Sequence, residues 1–320
     1  MVPDKIIQLL GGDAEIVATE TSYTRIFMWN HICNAFVRND GNPSVAMAAT
    51  LCSSLFNIVF DYVLMFPLGL AMPGAALATA FSPVVGVLIC CIHFFSKKCT
   101  ISFHFDRPSL KRLLYSCQVG VSAFVGEISS GVITVGFNML ILQLEGNVGV
   151  AAYGVVANIS LVAVALFNGI AQGTQPLISE NYGKGQWDSV KKYLGMSLKT
   201  ALGLACCVIA IIYIWTVPIA SIFNAEKNME LAALAQKGLR LYFLGFLFAG
   251  INIVGTSYLS AVESARWAFA ASIMRGMVVI VFFAILFAAL FGMTGVWLAF
   301  PAAELVTMAV TLTGLRKSRQ

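Results

Sequence analysis

Apolar positions in this chain neither alternate nor recur in short blocks; they run on for whole membrane widths. Eight runs stand out, at 44–68, 73–95, 113–143, 149–178, 193–216, 236–259, 267–290 and 294–315. Each exceeds the roughly 18–20 residues that cross the hydrocarbon core of a bilayer as a helix. Buried strands of a soluble protein would give apolar runs of about 4–8 residues instead. Only helices and closed barrels satisfy their backbone groups in lipid, and runs this long exclude barrel strands. A ninth stretch, 14–37, carries Glu15, Glu20, Arg25, Asn30, His31 and Asn34, and is too polar for an ordinary span. The pattern predicts an all-α, polytopic membrane protein.

Composition agrees with the pattern. Of 320 residues, 59% are hydrophobic and 11% charged, and the mean hydropathy is +0.84. A soluble domain carries about 25% charged residues, enough to face water. The net charge of +5 does not point to nucleic acid, because the basic residues sit in short connections between apolar runs. Lys97, Lys98, Arg107, Lys111 and Arg112 lie between the second and third runs; Lys184, Lys191 and Lys192 lie in 179–192; Arg316, Lys317 and Arg319 end the chain. Connections 69–72, 144–148 and 291–293 hold no Lys or Arg, and 217–235 holds only Lys227. The positive-inside rule then sets the C-terminus in the cytoplasm of a multi-pass plasma-membrane protein. The N-terminus shows no secretory signal. The eight cysteines include the adjacent pairs Cys90-Cys91 and Cys206-Cys207 inside apolar runs, with no C-x-x-C, and read as reduced apolar residues.

The chain also repeats itself. Leu70-Ala71-Met72-Pro73-Gly74-Ala75-Ala76-Leu77-Ala78 resembles Phe291-Gly292-Met293-Thr294-Gly295-Val296-Trp297-Leu298-Ala299, at an offset of 221 residues. Val2-Pro3 likewise matches Val217-Pro218. Helix, basic connection, two helices and short outer connection follow in the same order in both copies. The expected architecture is a complete six-helix lobe at 100–320, preceded at 1–99 by the back part of a pseudo-symmetric first lobe of two to three helices. By that arithmetic the first copy starts about 120 residues before Met1, so an N-terminally truncated chain is expected.

Several motifs carry a family resemblance. They are Arg38-Asn39-Asp40-Gly41-Asn42-Pro43, Asn57-Ile58-Val59-Phe60-Asp61-Tyr62 and Gly74-Ala75-Ala76-Leu77-Ala78-Thr79, then Gly126-Glu127 and Ala151-Ala152-Tyr153-Gly154 with Asn158. Gly169-Ile170-Ala171-Gln172-Gly173-Thr174-Gln175-Pro176-Leu177-Ile178-Ser179 follows, reaching Asn181-Tyr182-Gly183. In this joint order the chain resembles the multidrug and toxic compound extrusion (MATE) family over essentially its whole length. The resemblance implies two pseudo-symmetric helical bundles that exchange organic cations or drugs for protons or sodium ions by alternating access.

Ionisable groups at membrane depth are costly and are functional candidates by default. Asp61, Glu127, Arg275 and Glu304 are four such groups. Asp61 follows Asn57 by four residues, so both share one helix face. A carboxylate with amide and hydroxyl oxygens, the last from Thr79, makes a hard-ligand half-shell for a proton or Na⁺. The resemblance assigns Asn57, Asp61 and Thr79 to a first-lobe cation site, although this chain lacks the acidic first-helix residue of that site. Glu127, among Ser122, Ser129 and Ser130, can bind and release a proton, and the resemblance implicates it in second-lobe coupling. Many relatives place an acidic residue on the helix matching 236–259; here the polar residue is Asn252. Tyr153, Asn158, Gln172, Gln175 and Asn252 are the candidate substrate-cavity residues, with Tyr153 suited to cation–π contact. The amides, with Asn168, read equally well as helix-to-helix hydrogen-bonders. Arg275 and Glu304 read as a structural pair, and Asp40 as a helix cap.

The expected function is a secondary active transporter that exports drugs or organic cations by antiport with H⁺ or Na⁺. A lipid-linked oligosaccharide flippase is an alternative, though only Arg275 offers an intramembrane cation for a pyrophosphate; an inactive truncated remnant is another. An enzyme is not expected: His31, His93 and His104 are isolated in sequence, and no H-E-x-x-H or aspartate-rich metal motif occurs. No metal or cofactor beyond the coupling ion is anticipated. The expected partners are membrane lipid and small organic cations or drugs, with no nucleic acid.

Overall fold

The computed structural model describes residues 28–96, 99–100, 109–224 and 228–318, apart from thirteen side chains inside helices, Glu127 among them. Glu15, Glu20, Arg25, Lys97, Lys98, Arg107 and Lys227 lie outside the described residues. Every regular element among the described residues is helical. Two compact units divide the chain, Met1–Asp106 and Arg107–Gln320.

In the first unit a helix over 28–39 (α1) leads through a turn to α2, Pro43–Met65, and α3, Ala71–Phe94. Pro43 opens α2 at a position where its missing N–H costs nothing. Small residues let these helices meet. A Cβ on Gly74 would stand 2.9 Å from the backbone of Leu64 in α2, and one on Gly86 would strike the Asn30 side chain of α1. Buried Val37, Ala46, Ala49 and Cys90 form the small core of the unit.

In the second unit, α4 covers the 74 residues from Leu110 to Gly183. A straight helix of that length would measure about 110 Å, more than three bilayer cores. It is two helices joined at Gly146, whose φ of 62° and ψ of −153° suit glycine alone. The apolar runs 113–143 and 149–178 fall one on each side of that residue. α5, Trp187–Ile222, leaves helical geometry at Trp215, just ahead of Pro218, which cannot donate to the preceding turn.

The run at 236–259 differs from the single span expected of it. It is two helices, α6 (Met229–Phe243) and α7 (Phe246–Ala261), bent by 49°. The bend falls at Gly245, where a Cβ would lie 2.5 Å from the Phe300 ring. Aromatic packing therefore reaches the backbone there, and no larger residue fits. α8 (Ala265–Ile273) passes through a wide π turn, Met274–Val278, into α9 (Val279–Phe291); α10 is Met293–Lys317. Gly292, at φ 57°, makes the tight reversal between α9 and α10. Gly295 then packs against the backbone carbonyl of Phe287, the same role Gly74 plays against Leu64. Gly74 and Gly295, aligned in the sequence at an offset of 221 residues, thus each let two helices approach closely.

Among the described residues six helices are long and apolar enough to cross a membrane, or seven when the bent pair counts as one span. Large apolar side chains such as Leu51, Leu55, Ile58, Phe282, Ile285 and Leu290 are exposed, as surfaces facing lipid require. The main core of the second unit is built on Phe167, Phe243, Phe246, Trp297, Ile141 and Leu239, all buried.

Candidate cation site

Helix α2 carries Thr50, Ser53, Asn57 and Asp61 at spacings of three and four, one polar stripe along an otherwise apolar helix. Most of that stripe bonds to neighbouring helices. The Asn34 amide of α1 donates to the Ala46 carbonyl at 2.9 Å and to the Thr50 hydroxyl at 3.0 Å. Ser53 Oγ donates to the Ser82 carbonyl of α3 at 2.6 Å, and Asn57 Nδ2 donates to Thr79 Oγ1 at 3.2 Å. Interhelical hydrogen bonds of this kind hold membrane helices together.

Asp61 breaks the pattern. Its Oδ1 is buried and has no hydrogen-bond partner among the described residues. A carboxylate oxygen removed from water without a donor is held at a cost that a proton or cation relieves by binding. The structure thus brings Asn57 and Thr79 into contact and leaves, one helical turn further on, an acceptor with no donor among the described residues.

The second unit holds a polar cluster of the opposite kind. Arg275, on the π turn, donates from Nε to Glu304 Oε1 at 2.6 Å. Asn252 Nδ2 donates to Glu304 Oε2 at 2.7 Å and to its backbone carbonyl at 2.8 Å. Both carboxylate oxygens are satisfied, and Glu304 is 2% exposed. The pairing of Arg275 with Glu304 expected from sequence is present. Asn252, assigned to a substrate cavity from sequence, is instead fully buried and tied to Glu304.

The remaining site residues divide by exposure. Asn158, Gln172 and Gln175 lie exposed along the second half of α4, with the small residues Ala165 and Gly169 between them; the Asn158 amide donates to the Gly154 carbonyl at 2.8 Å. Tyr153 is buried, with Phe137 stacked at 5.6 Å and Trp297 at 6.2 Å. Its ring faces are therefore shared with other aromatics. Glu127 belongs to the first half of α4, and its side chain lies outside the described residues.

One cluster escaped the sequence. Asp40 does not cap α2, whose start has no side-chain cap. Its carboxylate accepts instead from the Thr100 hydroxyl, from the Thr100 N–H at 3.0 Å, and from His93 Nε2 at 2.7 Å. Thr100 and then His93 hold the Asp40 carboxyl down at about 2. His93 is fully buried at the end of α3, and its Nδ1 meets the Asn42 amide at 3.2 Å. A histidine closing an apolar helix was a visible signal; its partner, 53 residues away, was not.

The MatE family model matches residues 123–286, a little over half of the chain. The chain belongs to the MatE family. Among its relatives is the multidrug export protein MepA of Staphylococcus aureus, 29% identical over 325 residues, covering 97% of this chain and 70% of MepA. MepA of Staphylococcus saprophyticus is 29% identical over 323 residues with the same coverage. Two solved structures share the fold. A multidrug resistance MATE family transporter in its outward-facing conformation superposes with a TM-score of 0.87 at 22% identity, covering 98% of this chain and 73% of that one. A MOP superfamily transporter from Pyrococcus furiosus superposes at 0.86 and 22% identity, covering 99% and 73%. As a MatE protein, the chain is a multi-pass membrane transporter and not an enzyme.

Proposed function

We propose that this chain is a secondary active exporter of drugs or organic cations, driven by inward movement of H⁺ or Na⁺ through an alternating-access cycle. The observation that carries the coupling is the buried Oδ1 of Asp61, without a partner among the described residues, on the same helix face as Asn57, itself bonded to Thr79. A membrane carboxylate in that state gains most from a proton or a hard cation. The substrate class rests on the two MepA relatives, which are multidrug export proteins. Glu127 serves as a second coupling group, and the exposed amides Asn158, Gln172 and Gln175 of α4 contact the substrate. A flippase for pyrophosphate-linked lipids fits less well, because Arg275 is neutralised by Glu304.

The test is gradient-driven accumulation of a fluorescent organic cation in everted membrane vesicles. Wild-type vesicles should accumulate it when a proton or sodium gradient is imposed, and Asp61→Asn vesicles with equal protein content should not. Full gradient-driven accumulation by Asp61→Asn would overturn the assignment. The proposed orientation puts the plasma membrane's outer side at 69–72 and the cytoplasm at the C-terminus. Impermeant thiol reagents applied to intact cells should reach cysteines placed at 69–72 and miss those placed at 97–112.

A further inference from the structure

We propose that Asp40, His93 and Cys99 form a binding site for a divalent transition-metal ion, Zn²⁺ by preference, that ties the segment after α3 to the turn before α2. One ligand atom from each of the three lies within 4.8 Å of those of the other two. They come from different parts of the chain: the α1–α2 turn, the last turn of α3, and the stretch that follows it. A hydrogen-bond ladder builds that stretch. Ser96 N donates to the His93 carbonyl at 2.9 Å, and Cys99 N donates to the Ser96 carbonyl at 3.1 Å. Thr100 N then donates to Asp40 Oδ2. Backbone geometry thus carries the Cys99 thiol back over the His93–Asp40 pair.

The donor set selects the metal. One imidazole nitrogen, one thiolate and one carboxylate oxygen match the borderline-soft preference of Zn²⁺, with water as a fourth ligand; Mg²⁺ and Ca²⁺ want oxygen alone. The neighbours already orient the ligands. Thr100 donates its hydroxyl to Asp40 Oδ1, which leaves Oδ2 turned to His93. Asn42 Nδ2 lies 3.2 Å from His93 Nδ1; rotation of that amide brings its oxygen to the ring, where it holds the proton on Nδ1 and frees Nε2 as a ligand. His93 Nε2 and Asp40 Oδ2, now 2.7 Å apart, share a proton. On metal binding that proton moves to Nδ1, so the neutral imidazole ligates through Nε2 beside the Asp40 carboxylate, and the Cys99 thiol alone loses its proton to solvent. This site is separate from the polar stripe of Asn57 and Asp61 and does not depend on the proposed coupling.

Cobalt(II), which reports thiolate ligation by a near-ultraviolet charge-transfer band, is the probe. The full untagged chain, purified in detergent under reducing conditions, should bind one equivalent with that band, and added Zn²⁺ should abolish it. Cys99→Ser, a small change in an irregular segment, should lose the band while keeping its helical circular dichroism and elution volume. His93→Gln should lose it too, and Asn42→Ala should weaken binding by about 10–100-fold. Absence of the band with excess cobalt, or an undiminished band in Cys99→Ser, would show that the three residues are only a hydrogen-bonded latch.

Discussion

Two carboxylates, one in each unit, have been given opposite surroundings. Glu304 has both oxygens occupied, one by Arg275 and one by Asn252. Asp61 has an oxygen with no partner among the described residues, although Thr50, Ser53 and Asn57 of the same helix each bond to a neighbouring helix. A carboxylate with a full set of donors gains little from a proton or a cation and serves the fold. One left short of donors is held at a cost, and that cost is what a ligand relieves. The count of satisfied oxygens, rather than depth alone, separates an ion-binding acid from a structural one. Hairpin glycines show the converse: Gly74 and Gly295 sit in different units and perform one task, close backbone approach.

The strongest test of this contrast removes one partner of the closed cluster. Arg275→Ala should cost about 3–5 kcal/mol, read as a lower thermal midpoint in detergent, because the Glu304 charge is then left buried and alone. A loss under about 1 kcal/mol would mean that Glu304 does not depend on its donors as argued.

Gly295→Ala should follow, at about 1–3 kcal/mol, since its new methyl meets the immobile Phe287 carbonyl. Gly74→Ala should cost less within the same range, as its nearest atoms, at 2.9 Å, leave more room. Equal losses, or none, would break the parallel between the hairpins.

Asp61→Asn should change stability by no more than about 1 kcal/mol, and in the stabilising direction, because an unpaired charge is removed. A large loss of thermal stability would put Asp61 in the same structural class as Glu304. The smallest effect is expected at the exposed pair Glu180–Lys184, four residues apart at 2.5 Å. Glu180→Gln should cost only about 0.2–0.5 kcal/mol, the usual value of such a helix-surface pair in water.

Periodicity and composition settled what kind of molecule this is. Runs of apolar residues longer than a bilayer admit only transmembrane helices, so the spans at 44–68, 73–95, 193–216, 267–290 and 294–315 were legible along the chain. Gly146 and Gly292 could be read as breaks for the same local reason, since helix geometry depends on neighbours in sequence. The pairing of Arg275 with Glu304 was also within reach, because two lone charges on adjacent spans have few alternatives in lipid. Other features depended on contacts between distant residues. The 49° bend between α6 and α7 arises where Phe300 meets Gly245. The burial of Asn252 and Tyr153 came from neighbours tens of residues away. Asp40, read as a cap, proved to be held by His93 and Thr100. The sequence names which groups can donate and accept. Whether a given oxygen finds its donor is decided only when helices far apart in the chain pack together, because a hydrogen bond needs its two atoms within about 3 Å.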